Sequence, residues 1–433
     1  MNAVDFDPHI TVENIANVRN PDYCVRAVRL ENLRKTIETP FKIISGDDVN
    51  CKSLSNYSPY IKNPILESAR FVQLPISWTS LENYLTKLPA TQRNNKLRNF
   101  FKIDKKLWDD SLTTLSMTFP RNPFEMQEFS NTVFDGLNED SYIFLLNFIY
   151  SNSSAFVLVP DIKIKSDSFV TTYLEIIDFS VKQLSEWNSK PIFVPLQIDL
   201  SERNLITILS HYKTRRYSNI WIDFSNHPCD SDFSANLRSI KQLLNRYMQG
   251  LDVVLHYSHI KKEINPHLHD TKVAASDILT QFFGADFIGV KRFGGGFNPQ
   301  GNNSDYLEIQ ASKNNFGSVD EYQQALKFHS TRLFSPNTYY YHNLDCYPES
   351  IEIDTSLLTD KVHNKLVNNM LLYREIETTK AFVEEKAISS STNNRPLKDY
   401  LNKKLMLKEN EIIRNSLIPK QVQSTLSDLA DLL

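Results

Sequence analysis

The residues best suited to chemistry sit at the ends of short apolar runs. Asp161 follows AFVLVP, Gln197 and Asp199 close IFVPLQIDL, and Asp223 lies in NIWIDF. His256 ends the run DVVLHY with His259 just beyond it, and Lys291 and Arg292 close DFIGVKR. In barrels of parallel strands, side chains at the C-terminal strand ends line the functional face. Three carboxylates (Asp161, Asp199, Asp223) facing a Lys291–Arg292 pair read either as a polar pocket for a nucleotide or phosphorylated small molecule, or as a structural ion-pair network. Lys291-Arg292 runs on into Gly294-Gly295-Gly296, a backbone able to present N–H groups to phosphate, or simply a loop.

His256-x-x-His259 and His267-x-His269-Asp270 offer ligands suited to zinc or iron. On a strand, however, His256 and His259 project to opposite faces, so hydrogen-bonded histidines and no metal are expected. Cys229 and Cys346 would be nucleophiles only beside an activating base, and read as incidental thiols. A second cationic stretch, Lys87–Lys106, interleaves Lys96, Arg98, Lys102, Lys105 and Lys106 with Phe100 and Phe101. Cations meet phosphates and aromatic rings stack on bases, so this is the best candidate for nucleic-acid contact. A solvated helix accounts for it equally well.

The elements that must position these residues alternate. From Ala155 onward, the β-branched runs Ala155–Ile164, Ile192–Leu200, Asn219–Phe224, Asp252–Tyr257 and Asp286–Arg292 are separated by helical patterns at Ser168–Trp187, Glu202–Tyr212, Ser234–Gln249 and Thr271–Phe283. Near-continuous apolar runs indicate strands buried on both faces, and alternation with helices indicates parallel βα units. Upstream, Phe41–Ser45, Arg70–Pro75 and Leu112–Phe119 complete eight, which predicts a (β/α)8 TIM-type barrel with a helical C-terminal extension. An open doubly wound sheet is the alternative. Lys87–Asp110 reads as an inserted helical region. Three segments follow from the pattern: residues 1–292 as the barrel with an N-terminal hairpin, 293–388 as a loop and long helix, and 389–433 as a linker and short helical tail. Tyr339–Tyr341 opens an irregular stretch to about Ser356, Leu357–Lys386 reads as one amphipathic helix, and the tail as two short helices broken at Pro419.

Composition removes several function classes. The 433 residues include only 10 glycines, where ordinary usage gives about 30. Six of them fall between Gly284 and Gly301, and neither a P-loop nor a dinucleotide fingerprint occurs. Forty-eight basic and 51 acidic side chains give a net charge of −3, so no global field attracts polyanions. Four widely spaced cysteines form no metal or disulfide framework. With no leader pattern and no apolar run near the roughly 18 residues of a membrane span, a cytoplasmic protein that does not enter the membrane is expected.

In order of segments, the chain resembles the tRNA-guanine transglycosylase family. AVRLENLRKTIETPFKIIS is similar to the family's opening hairpin and Thr-Pro-bearing first strand, with Thr39-Pro40 as that pair. LTTLSMTFPRNPF stands where the family carries Asp-Ser-Gly-x-Phe-Gln, VPLQIDL where it carries Val-Gln-Gly-Gly, and NIWIDFSN where it carries Ile-Gly-Gly. INPHLHDTKVAASDILTQFFGADFIGVKR has the turn, helix and Gly-x-Asp-x-Phe-Asp strand in order, and KLVNNMLLYREIETTKAFVEE resembles the helix after the family's zinc site. The similarity spans about Ala27–Lys386. It implies a barrel that exchanges guanine in tRNA for a deazaguanine, on the route to queuosine or archaeosine, and that works in pairs.

The departures are systematic. Gly289 stands at the nucleophilic aspartate's position, and Leu115-Ser116-Met117-Thr118 lacks the second catalytic aspartate. Cys346-Tyr347-Pro348-Glu349-Ser350 and Asn368 replace the cysteines and histidine of the zinc site, so no zinc and no other cofactor is expected. Gln197 matches a base-reading glutamine, but Ile198 and Asp199 replace the glycines that let a purine approach the backbone. The resemblance therefore implies a pseudoenzyme: a non-catalytic or accessory subunit with tRNA or a nucleobase as ligand, forming a homodimer or pairing with a catalytic transglycosylase. The alternatives are an enzyme on a nucleobase or nucleoside with relocated carboxylates, and a scaffold for interactions.

Overall fold

The computed structural model describes residues 6–18, 23–50, 64–129, 131–187, 189–292, 304–350, 356–389 and 396–417. It opens with β1 (Ile10–Val18), β2 (Tyr23–Leu30) and β3 (Lys35–Thr39), which form an antiparallel sheet in that order. The chain then enters β4 (Phe41–Lys42), β5 (Ile44–Ser45), β6 (Ile65–Phe71) and β7 (Leu112–Phe119). The insertion between β6 and β7 is helical, as expected, with helices Ile76–Thr86, Ala90–Phe100 and Lys105–Asp109. A small hairpin, β8 (Gln127–Phe129) and β9 (Thr132–Phe134), precedes helix Glu139–Ser151.

Regular alternation follows: β10 (Val157–Leu158), β11 (Asp161–Ile162), helix Val170–Glu186, β12 (Ile192–Gln197), helix Glu202–Arg215, β13 (Asn219–Asp223), helix Ser231–Tyr247 and β14 (Val254–Ser258). Several helices start where a side chain satisfies a free backbone N–H. Ser201 accepts from Asn204 N, Asp230 from Asp232 N and Phe233 N, and Asn138 from Ser141 N.

The last third departs from expectation. Thr271–Phe283 is not a helix. It holds β15 (Lys272–Ala274) and a 3-10 turn, Asp277–Phe282, before β16 (Phe287–Ile288). Asp270 does not cap a following helix either, because its carboxylate accepts from His267 N. Val273 instead pairs across from Tyr341, so sheet pairing overrides the helical period. Helices Ser304–Lys313 and Val319–Ser330 lead to β17 (Leu333–Ser335) and β18 (Tyr340–His342). The tyrosine run, expected to be irregular, is therefore the central strand of a β15-β18-β17 sheet. Helix Lys361–Ser389 matches the expected long helix, and three short helices, Pro396–Asn402, Leu405–Glu409 and Glu411–Leu417, stand where one was expected before Pro419; the one expected after it lies outside the described residues. The Gly294–Gly296 loop, the 391–394 linker and Pro419 lie outside the described residues.

The fold is mixed α/β. One parallel sheet has six strands in the order β10-β12-β13-β14-β16-β4, and a second has four in the order β11-β7-β6-β5. Only Ile43 separates β4 from β5, and only Val159-Pro160 separates β10 from β11, so two chain segments contribute to both sheets. Helices pack on the outer face, Tyr142, Ile177, Ile208 and Leu237 being fully buried there. On the inner face, at the strands' N-terminal ends, Phe156, Phe193, Trp221 and Phe287 form an apolar cluster with Val28, Leu30 and Ile37 of the N-terminal sheet. Phe156 lies 4.8 Å from Phe193 and 5.2 Å from Phe287, ring centre to ring centre. Arg26 and Asp286 lock that sheet to the parallel strands. Arg26 Nε donates to Asp286 Oδ1 at 2.8 Å, Thr39 Oγ1 donates at 3.0 Å, and Leu255 N gives Oδ2 a hydrogen bond of 2.8 Å.

Candidate functional site

Toward their C-terminal ends the same strands turn polar inside. Glu67 of β6, Ser116 and Thr118 of β7, Asp161, Gln197, Asp223, His256, Ser258 and His259 are all buried. His259 was expected to face away from His256. At φ 59° it instead follows β14 in the left-handed region, and the two rings connect to the same carboxylate, His256 directly and His259 through Ser116. His256 Nε2 lies 3.5 Å from Glu67 Oε2. His259 Nε2 lies 3.0 Å from Ser116 Oγ, which donates to Glu67 Oε1, as Ser258 Oγ also does.

On its other side His259 Nδ1 lies 2.9 Å from Asp223 Oδ1. Asp223, His259 and Ser116 thus have the outline of a hydrolytic triad, but the protons run the wrong way. Ser116 has one hydroxyl hydrogen, and Glu67 takes it. Nucleophilic catalysis requires the histidine to take that proton, but Ser116 gives it to Glu67 Oε1, and Ser116 is sealed from solvent.

Beside this chain lies a second group. Lys163 Nζ stands 3.4 Å from Asp223 Oδ2 and 3.9 Å from Asp161 Oδ2. It also hydrogen-bonds Ser225 Oγ, placed by the left-handed Ser225-Asn226 turn after β13. Burial alone would raise Asp223, but Lys163 and His259 outweigh it and hold its carboxyl well below the usual range. Burial pushes Asp161 up to about 7, with the neighbouring Asp223 charge adding to the rise against the pull of Lys163. Gln197 Nε2 donates to Asp161 Oδ1 at 3.0 Å and to Ile162 O at 2.7 Å. It is therefore a buried brace rather than a free base-reading amide. Asp199 is exposed.

The cavity lies to one side, beyond the ends of β5, β14 and β16 and under the first turns of helix Lys361–Ser389. Its volume is about 560 Å³. Its walls carry seven lysine and arginine side chains against four carboxylates, in a chain whose net charge is −3. Gly289 and Lys42 form its inner end, where Lys42 Nζ donates to Gly289 O at 2.6 Å. Behind Gly289 the packing is tight. A Cβ there would meet Glu67 Oε2 at 2.5 Å, His256 Cε1 at 2.7 Å and Tyr257 O at 2.8 Å.

Of the residues expected to share a pocket, Lys291 and Arg292 line this cavity. Asp161, Gln197, Asp223 and His256 lie in the buried network, and Asp199 in neither. Glu67, Lys163 and most cavity lysines carried no sequence motif. Their one signal was position, since Lys42 belongs to the first parallel run and Lys261-Lys262 follows β14 directly.

The histidines do not assemble a metal site. His267 and Asp270 give backbone carbonyls to buried Arg332, and the His269 ring stacks on Phe316 at 4.3 Å. Among the described residues the one group of metal-capable side chains in mutual reach is Asp7, His9 and Glu31. It lies at the strands' N-terminal ends, where Pro8 O accepts from Asn219. Asn368, which the resemblance sets at the zinc histidine's place, accepts from Phe334 N and donates to Arg332 O. Cys346 is exposed, while burial raises the thiol of Cys229.

In the Lys87–Lys106 stretch, Lys96, Lys102, Lys105 and Lys106 are exposed and Arg98 half-buried. The aromatic half of that reading is corrected: Phe101 is buried and stacks on Phe148, and Phe100 packs on Phe101. The Phe101 ring is not free to take a base, and that of Phe100 is half-buried. Among the described residues no helix is long and apolar enough to cross a membrane.

Comparison with protein-family models and with curated proteins gives no match for this chain. What fold and site define is a mixed α/β protein with a cation-lined cavity beside a buried, internally neutralised polar network.

Proposed function

We propose that the chain is a divergent transglycosylase-type barrel that keeps the scaffold without base exchange, and that it serves as a non-catalytic binding or accessory subunit in tRNA modification. Support for the scaffold comes from the β4–β5 and β10–β11 segments, each of which belongs to both parallel sheets. We read the two sheets, joined at both segments, as one (β/α)8 ring.

One observation carries the loss of chemistry. The place of the nucleophile is held by Gly289, and the space a side chain would need there is filled by Glu67, His256 and a ladder carbonyl. Asp286, the aspartate kept from the motif, is engaged by Arg26, Thr39 and Leu255 N at the opposite end of the strands. Contact with RNA is supported by the cationic cavity and by the exposed lysines of the inserted helices. Lys102 senses the charge of Lys365 on the cavity wall, so the two cationic surfaces adjoin.

The test is base exchange with labelled guanine and bulk tRNA, run beside tRNA binding and co-purification from the native cell. No incorporation, together with retained tRNA or a transglycosylase partner, is expected. Incorporation abolished by Asp161→Ala or Asp223→Ala would overturn the reading. That outcome defines the second reading, an enzyme with relocated carboxylates, which Asp161 favours: it is held near pH 7 and its Oδ2 accepts no hydrogen bond among the described residues.

A further inference from the structure

The wall charges of the cavity are unequally committed. Each carboxylate is already engaged: Asp47 by both terminal nitrogens of Arg70, Asp48 by Lys365 at 2.6 Å, Glu263 by Arg332 at 3.4 Å, and Asp277 by the Tyr341 hydroxyl at 3.0 Å. Among the cations, Lys365 is paired by that bond and Lys42 is tied to Gly289 O. Lys262 lies over the Tyr341 ring at 4.0 Å. Lys261, Lys291 and Lys361, also on the wall, have no ion pair among the described residues. The Arg292 guanidinium rests on the Phe71 ring at 4.1 Å with its Nη1 buried and unpartnered.

Cations gathered in a concavity without counter-charge repel one another unless an anion joins them. Burial lowers the Lys291 amine below the ordinary lysine value; the charges of Glu263 and Asp48 work against that, and those of Lys261 and Lys262 add to it. Lys261 and Lys291 follow β14 and β16, which are neighbours in the parallel sheet. Loops in that relation, after the last two strands of a barrel, are a recurrent place for phosphate. A volume of about 560 Å³ admits a nucleotide-sized molecule.

We infer that this cavity is a binding site for a phosphoryl group, most simply that of a nucleotide, gripped by Lys261, Lys291 and Arg292 with Lys361 closing from the helix above. The inference stands on the cavity and does not require the tRNA reading.

Titration calorimetry on the full chain tests it, with inorganic pyrophosphate, guanosine 5′-monophosphate, guanosine and bulk tRNA as separate probes. Saturable binding of the two phosphates is expected, without binding of guanosine. Each of Lys261→Ala and Lys291→Ala should weaken it about tenfold, the scale of one charge-assisted hydrogen bond, and Lys291→Arg should restore most of the loss. Lys105→Ala, outside the cavity, should leave it unchanged. As a second readout, acylation of Lys291 by an amine reagent should slow at saturating pyrophosphate while that of Lys105 does not.

Phosphate binding without tRNA binding leaves this inference standing and removes the tRNA reading. Binding of guanosine as tight as that of its monophosphate overturns the inference. So does absence of saturable phosphate binding, or equal binding by the Lys261→Ala/Lys291→Ala variant.

Discussion

Replacing Gly289 by alanine tests a closely packed point between the cavity and the buried network. The added carbon would sit 2.5 Å from Glu67 Oε2, 2.7 Å from His256 Cε1 and 2.8 Å from Tyr257 O. The two side chains could retreat only by disturbing hydrogen bonds that Glu67 accepts from Ser116 and Ser258. The carbonyl cannot retreat without breaking the ladder bond it accepts from Gly289 N at 2.6 Å. One surplus methyl in a packed core costs about 1–3 kcal/mol, and with a backbone atom among the three obstacles the upper end, about 3 kcal/mol, is expected. With a urea dependence of about 3 kcal/mol/M, the unfolding midpoint should fall by about 1 M. His256→Ala removes one obstacle, so the double variant should lose about 1 kcal/mol less than the sum of the singles. A Gly289→Ala midpoint equal to the parent's would refute the reasoning, and would show position 289 open to a side chain as base exchange requires.

Other perturbations follow from the same geometry. Asp161, raised in the folded state to about 7 from 3.8, holds its proton more tightly folded than unfolded, so it makes the parent lose stability as pH rises from about 4 to about 7. Asp161→Asn should remove roughly a few kcal/mol of that slope, and urea midpoints at both ends of the window that shift in parallel would contradict it. Arg26→Ala leaves buried Asp286 without its cation and should cost about 3–5 kcal/mol; an unchanged thermal midpoint would mean that the N-terminal sheet is not anchored there. Neutralising Lys102, Lys105 and Lys106 to glutamine should weaken tRNA binding and flatten the log–log salt dependence by about 2–3, and an unaltered slope would exclude that patch. Ser116 should stay unlabelled by a fluorophosphonate under native conditions, and covalent labelling would show that the proton order at Ser116 is wrong.

The parallel strands were legible because burial on both faces leaves uninterrupted apolar runs, and the caps at Asn138, Ser201 and Asp230 mark helix starts with ordinary chemistry. The region after Asp270 was harder for a physical reason. Lys272–Ala274 and Tyr340–His342 are too short to show a period and pair across a long sequence separation, so their local pattern carried no information about their partner. At the site, strand-end position found Asp161, Asp223, Lys291 and Arg292 but could not tell which would be sealed inside. The difference between a buried brace such as Gln197 and a cavity wall such as Lys291 is decided by neighbours contributed from several strands.

That division also bears on what the molecule can do. Inside, every ionised carboxylate faces a cation or imidazole: Glu67 beside His256, and Asp223 between His259 and Lys163. Charge is matched there, while Glu67 Oε2, Asp161 Oδ2 and both ring nitrogens of His256 make no hydrogen bond among the described residues. In the cavity the balance is reversed, since its carboxylates are bound to partners while several of its cations are not. The two regions meet at Gly289, where Lys42 crosses to the carbonyl and Glu67 fills the space behind. On the reading proposed above, a ligand in the cavity would be held by charge on one side of Gly289, with Glu67 standing between it and the buried carboxylates on the other.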